Sequence, residues 1–185
     1  MHLDKFDNSN FDRGRPWLVE ALWRLVEGLF LQSWLPGSGW RVAVLKLFGA
    51  KLGTGVVIKP HVKVKFPWKL RVGNYSWIGE EVWIDNLAEV QIGSHCCISQ
   101  GVYLCTGNHR WDQDSFDLET SPIRIGDHCW VGAMSRLGPG AVVQEGAVLL
   151  MGSITSATIE SWRIYGGMPA KLIRERPQSP KRTDD

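Results

Sequence analysis

The chain has 185 residues, enough for one domain with a proper core and short for two. Lys and Arg number 21 against 19 Asp and Glu, a near balance with no electrostatic footprint for nucleic acid. Cys96, Cys97, Cys105 and Cys129 form neither CxxC pairs nor an evident disulfide framework, so they read as reduced packing thiols. The opening residues, MHLDKFDNSNFDRGRP, are polar and lack the apolar core of a secretory signal, which makes the cytoplasm the expected compartment.

From Pro16 to Leu35 the sequence PWLVEALWRLVEGLFLQSWL predicts an amphipathic helix, with Pro16 suited to its first turn. Glu20, Arg24 and Glu27 share one face, while Trp17, Leu18, Leu22, Leu25 and Leu29 fall largely on others. Three charges in the run argue against a membrane span, which needs about 20 mostly apolar residues. The apolar face is expected to pack on the rest of the protein or on a neighbouring subunit; contact with a membrane surface is the alternative. After PGSG at 36–39, a second short helix is expected from Trp40 to Phe48, stopped by Gly49.

Beyond residue 51 the chain repeats in sixes. Units such as LGTGVV (from 52), VGNYSW (from 72), IGEEVW (from 78), IGSHCC (from 92), IGDHCW (from 125) and LGPGAV (from 137) begin with an aliphatic residue and carry a small or β-branched fifth residue. Six residues are too few for a helix, and strict apolar–polar alternation is absent. The unit suits a coiling chain in which a short strand meets a tight turn, the aliphatic residue points inward, and stacked coils pair in parallel. Two eight-residue units, VKFPWKLR from 64 and IDNLAEVQ from 84, are expected to bulge from successive coils at one corner. The main break is GNHRWDQDSFDLETSP at 107–122, a polar loop with Trp111 and Phe116 to anchor it.

This pattern, [LIV]-G-x-x-[small]-x closed by GGMPAKLIRER at 166–176, resembles the hexapeptide-repeat acyltransferases. It is most similar to sugar O-acetyltransferases of capsule and exopolysaccharide pathways, and FDRGRP, FPWKLRVG and WIDNLAEVQIG suit the colanic-acid subgroup. The resemblance implies an all-β solenoid, a left-handed parallel β-helix behind an N-terminal α-helical segment, assembled as a homotrimer with acetyl-CoA as donor. It divides the chain into an arm and helical cap (1–50), the β-helix (51–162) with its projecting loop, and a CoA-side segment and tail (163–185).

It also implies roles for residues. His109, in LCTGNH at the root of the break, matches the family's catalytic base. Histidine suits that work, since its ordinary pKa of about 6.5 lets it take a proton from a sugar hydroxyl near neutrality. The amide of Ala133 matches the donor to the oxyanion, a backbone role that tolerates alanine. Asp85 or Asn86 in WIDNLA matches a residue that holds the acceptor or orients the base, with a turn-forming role as the alternative. Trp130, Ala133, Met151, Gly152, Ser153 and Ser156 match the wall of the coenzyme A groove, and Lys171 and Arg174 match cations that meet its phosphates. The acceptor is expected to be a carbohydrate, free, nucleotide-linked or lipid-linked, and no metal is required.

His61, His95 and His128 occupy outward fourth positions of repeat units and read as structural. Two rival functions stand beside the transferase. One is a zinc enzyme like the γ-carbonic anhydrases, which needs three histidines, although His95, His109 and His128 lack the close pair. The other is a non-catalytic scaffold. Direct transfer is expected over a covalent route, since Cys105 precedes His109 by four residues but at an outward repeat position.

Overall fold

The computed structural model describes residues 2–177; the tail SPKRTDD, expected to be solvated, lies outside them. Residues 51–166 form a parallel β-solenoid whose coils each lay one short strand on each of three faces. On the first face, Leu52, Val72, Ile92, Ile125, Val143 and Ile159 stack in register. Ile58, Ile78, Ile98, Val131 and Leu149 do so on the second, and Val64, Ile84, Leu104, Leu137 and Thr155 on the third. All are buried, so the first positions of the repeat make three continuous inward columns that no single coil could bury.

The small fifth positions do more than fit. The Ser76 hydroxyl donates to the Gly93 carbonyl at 2.7 Å, the Ser135 hydroxyl to Leu150 at 3.0 Å, and the Cys96 and Cys129 thiols to Gly126 and Gln144, each at 3.0 Å. Each ties its coil to the next. The outward fourth positions between the first and second faces adopt the left-handed conformation, from Gly55 through Tyr75, His95, His128 and Gly146 to Trp162. Their rings stack, His95 on His128 at 5.2 Å, which repays part of the strain and makes both histidines structural.

The three breaks in the six-residue rhythm fall at one corner, between the third and first faces. They are the turn Pro67–Lys69, the bulge at 86–89 and the segment 107–122. The last is not an irregular loop. Gly107–His109 and Leu118–Thr120 pair as an antiparallel hairpin, because backbone leaving the coil must still satisfy its hydrogen bonds.

The N-terminal segment departs from expectation. Its helix α1 (Trp17–Val26) passes into a π-helical turn at Glu27–Leu31, and α2 runs from Gly39 to Leu47. Gly49, at φ +95°, ends α2 while Ala50 N–H bonds back to Leu45. The edge of α1 and its π-helical continuation that packs on the solenoid carries Trp23, Glu27 and Leu31, whereas Leu18, Leu22, Leu25 and Leu29 face outward. Glu27 lies inside because its carboxylate accepts the Val64 N–H at 2.6 Å and pairs with Arg24 at 3.3 Å, while Trp23 Nε1 donates to the Val64 carbonyl at 2.8 Å. A polar edge that completes a strand end thus displaces the leucine face from the core. Buried Arg41 closes the segment by donating to the carbonyls of Ser33, Leu35 and Gly37. No helix among the described residues is long and apolar enough to cross a membrane.

Candidate active site

The corner with the three insertions is bolted together by buried polar side chains. Asn86 accepts from Phe66 N–H at 2.9 Å and donates to the Phe66 carbonyl at 2.7 Å. Thr106 accepts from Ala88 N–H at 2.9 Å and donates to the Asp85 carbonyl at 3.1 Å. Asn86 and Thr106 are fully buried, so each insertion is held to the one before it. The amide of Asn86 is therefore spent inside the protein, and of the pair Asp85–Asn86 only Asp85 presents side-chain atoms outward.

His109 ends the first strand of the hairpin. Its ring lies 3° from parallel with that of Phe116, centroids 4.2 Å apart, and 5.6 Å from the tilted ring of Phe6. Nδ1 stands 2.9 Å from the Phe116 carbonyl oxygen. A carbonyl only accepts, so Nδ1 carries the hydrogen and Nε2 is the basic nitrogen. The ring is oriented by this carbonyl and by the Phe116 face rather than by a carboxylate. Asp85 is occupied elsewhere, with Oδ2 accepting from the Tyr103 hydroxyl at 3.1 Å and Oδ1 lying 3.0 Å from Lys65 Nζ, an ion pair out of line for a hydrogen bond. Burial, with Cys105 and Asp85 alongside, pushes the Tyr103 phenol well above its usual range, so it stays a donor.

Beside His109 opens a cleft of about 290 Å³, walled by Phe6, Asn8, Phe11 and Arg13 of the N-terminal arm and by Lys65, Phe66, Leu87 and Leu118. The arm is strapped across the corner: Trp68 Nε1 donates to the Arg13 carbonyl and Lys69 Nζ to that of Asp12, both at 2.7 Å. His2 N–H reaches the Asp114 carbonyl in the hairpin loop at 2.8 Å. Sequence reasoning missed Phe6, Asn8, Arg13 and Lys65. The first three precede the repeat, and Lys65 sits at an outward position like any solvated lysine. The coincidence of all insertions at one corner was the signal that could have found them.

A second groove, about 510 Å³, runs along the corner between the second and third faces. Trp130, Ala133 and Met151 line it with Ser99, Gln100 and Leu150, and Trp130 Nε1 donates to Ser99 Oγ at 3.0 Å. It continues past Ser99 and Gln100 into a cleft along Trp77, Gly79, Glu80 and Lys59. The Ala133 amide donates to no group among the described residues, while its carbonyl accepts from Gly152 N–H at 2.8 Å. Gly152, at φ +71°, has open space on its side-chain side.

The remaining expected groove residues separate. Ser153 is buried, its hydroxyl donating to the Leu150 carbonyl at 2.6 Å and accepting from Gly167 N–H at 3.2 Å, so it belongs to the framework. Ser156 lies at the corner of the three insertions, packed against Gly138, and does not reach the groove. Lys171 and Arg174 are exposed on a final strand that joins the second face antiparallel to Arg163–Gly166. The register Trp130–Val148–Ile164–Arg174 sets Arg174 in one row with Trp130, about 14 Å away across three strand spacings.

The His109 cleft and the groove share no lining residue; they lie at opposite edges of the third face. His95 and His128 sit at a third corner, away from His109, and no cluster of three or more His, Cys, Asp or Glu suited to a metal occurs among the described residues.

No family model matches the chain. Among curated sequences it is 37% identical over 173 residues to a protein of Escherichia coli K12 named as a colanic acid biosynthesis acetyltransferase, WcaF, covering 92% of this chain and 94% of that one. A hexapeptide-repeat acetyltransferase of Vibrio cholerae, solved with acetyl coenzyme A, superposes with a TM-score of 0.80 at 21% identity over 88% of this chain and 89% of the other. A galactoside acetyltransferase solved with coenzyme A gives a TM-score of 0.77 at 22% identity, over 85% and 80% of the two chains. The coils, their register and the relative that matches nearly end to end agree: the chain belongs to the hexapeptide-repeat acetyltransferase family, in its colanic-acid branch.

Proposed function

We propose that the protein transfers acetyl from acetyl-CoA to a hydroxyl of a carbohydrate acceptor in capsule or exopolysaccharide precursor synthesis. The observation that carries this reading is the orientation of His109, with Nδ1 committed to the Phe116 carbonyl and Nε2 left basic beside a cleft. Nε2 takes the hydroxyl proton as the sugar oxygen attacks the thioester carbonyl, and the Ala133 N–H receives the charge that develops on the carbonyl oxygen. Collapse expels the CoA thiolate, which takes the proton back from the imidazolium, so the ring leaves the cycle as it entered.

The aromatic walls of the cleft, Phe6 and Phe11, suit the apolar face of a sugar, and Asn8, Arg13 and Lys65 suit its hydroxyls. Asp85 serves by holding Lys65 in place. The groove through Trp130, Ala133 and Met151 suits the pantetheine arm, with Arg174 and Lys171 further along the same face for the phosphates. Base and groove sit at opposite edges of one face, so a neighbouring copy must bring its groove to this chain's His109. A homotrimer, with three such boundaries, meets that need.

The test is to incubate the protein with acetyl-CoA and a panel of free, nucleotide-linked and lipid-linked sugars and to read products by mass. A sugar carrying one additional acetyl on oxygen supports the reading. Release of CoA without any acetylated sugar across the panel would contradict it.

A further inference from the structure

The outward face of α1 is the largest feature that the proposed reaction leaves unused. Leu18, Leu22, Leu25 and Leu29 follow i, i+4, i+7 and i+11 spacing, each more than half exposed, and Trp17 and Trp34 stand about three-quarters exposed at the two ends. The opposite edge already holds the helix to the solenoid through Trp23, Glu27 and Leu31, so the stripe is not needed for the fold. Such a run of exposed leucine is unusual on a surface facing only water.

Charge says what covers it. Residues 13–51 carry six basic side chains (Arg13, Arg15, Arg24, Arg41, Lys46, Lys51) and two acidic ones, Glu20 and Glu27, a net of +4. The whole chain is +2, so the remainder is −2. Both acids are spent inside the segment, Glu20 on Arg13 and Glu27 on Arg24, which leaves Arg15, Lys46 and Lys51 as exposed cations of the segment. Leucines along one face, tryptophans at both ends and a net positive segment carrying them are complementary to an anionic lipid surface. A stripe meeting its own copy would instead bring like charges together.

We propose that α1 lies in the interface of an anionic bilayer and docks the protein there. The contact continues into the site. The same helix bonds both backbone groups of Val64, whose neighbour Lys65 lines the His109 cleft, and Glu20 of α1 holds Arg13, which lines it too. Docking therefore sets the acceptor cleft close to the headgroups, where a lipid-linked sugar is presented; this last clause rests on the proposed function, while the docking does not.

The test is flotation of the intact protein with vesicles of phosphatidylcholine alone or mixed with phosphatidylglycerol, with no substrate present. The expected result is flotation with the anionic vesicles, at least about tenfold less with neutral ones, and loss as salt is raised. The double variant Leu22→Glu/Leu25→Glu should abolish flotation with its melting temperature and oligomeric mass unchanged, both positions being exposed. No flotation of the wild type, or equal flotation of the variant, overturns the proposal. So does a fall in oligomeric mass in the variant, which would make the stripe a contact between copies. Vesicle binding is read without acetyl transfer, so a failure of the proposed reaction leaves this result standing.

Discussion

Replacing Asn86 with Ala separates a framework role from a catalytic one at the insertion corner. Asn86 is fully buried and satisfies both backbone groups of Phe66, itself fully buried, at 2.9 and 2.7 Å. Alanine strands a donor and an acceptor away from water, at about 1–3 kcal/mol each, or roughly 2–6 kcal/mol together. That is a large part of the about 5–15 kcal/mol that holds a typical domain. For a chain of this length each kcal/mol moves the melting temperature by about 2–4 °C, so a fall of roughly 4–24 °C is expected. Calorimetry at fixed protein concentration reads it, and kcat measured well below the transition should stay within about threefold of wild type. A melting temperature within a degree or two of wild type, combined with a tenfold rise in acceptor KM, would refute the framework reading and give Asn86 to the acceptor.

Asp85→Asn frees Lys65 from its 3.0 Å partner at the cleft wall, so acceptor KM should rise roughly tenfold with kcat little changed, and a loss confined to kcat would tie Asp85 to the base instead. Burial raises the Glu27 carboxyl above its ordinary 4.5, so its protonation favours the folded state. That contribution is complete below about pH 4.5 and lost as pH rises through the raised value, so wild type should gain on Glu27→Gln as pH falls. Urea midpoints across that range check it, and a flat or opposite trend counts against the burial argument. Gly146→Ala places a methyl 2.5 Å from the Trp162 ring at φ +67°, costing about 1–3 kcal/mol in a melt; a neutral outcome would show that the corner stack is slack.

The solenoid was readable because its signal is redundant: Leu52, Val72 and Ile92 each repeat one instruction, and a coil cannot slip without unburying a column. His109 was readable for a related reason, since it stands where the rhythm breaks. The resemblance proposed a base at this position, and the structure adds the ring's hydrogen bond to the Phe116 carbonyl. The arm was not readable. Phe6, Asn8 and Arg13 acquire meaning only when Trp68 and Lys69 strap residues 12 and 13 across the corner, contacts 55 to 57 residues apart in sequence. Hydrophobicity alone left open whether the leucines pack on the chain's own solenoid or on a neighbouring subunit, and within the chain they face outward. A carboxylate that completes the hydrogen bonding of Val64 outcompetes them, and nothing in the local pattern of Glu27 announces that partner. Ser156 stands at the corner of the three insertions rather than along this chain's own groove, because the third face separates the two.

The most direct measurement is the turnover of His109→Ala with acetyl-CoA and an acceptor identified from the panel. The account predicts a kcat lower by about 10²–10⁴-fold, or roughly 2.7–5.4 kcal/mol in the barrier, with oligomeric mass and acetyl-CoA binding as in wild type. Turnover close to wild type would contradict it, since no proton then passes through the Nε2 that the Phe116 carbonyl leaves basic.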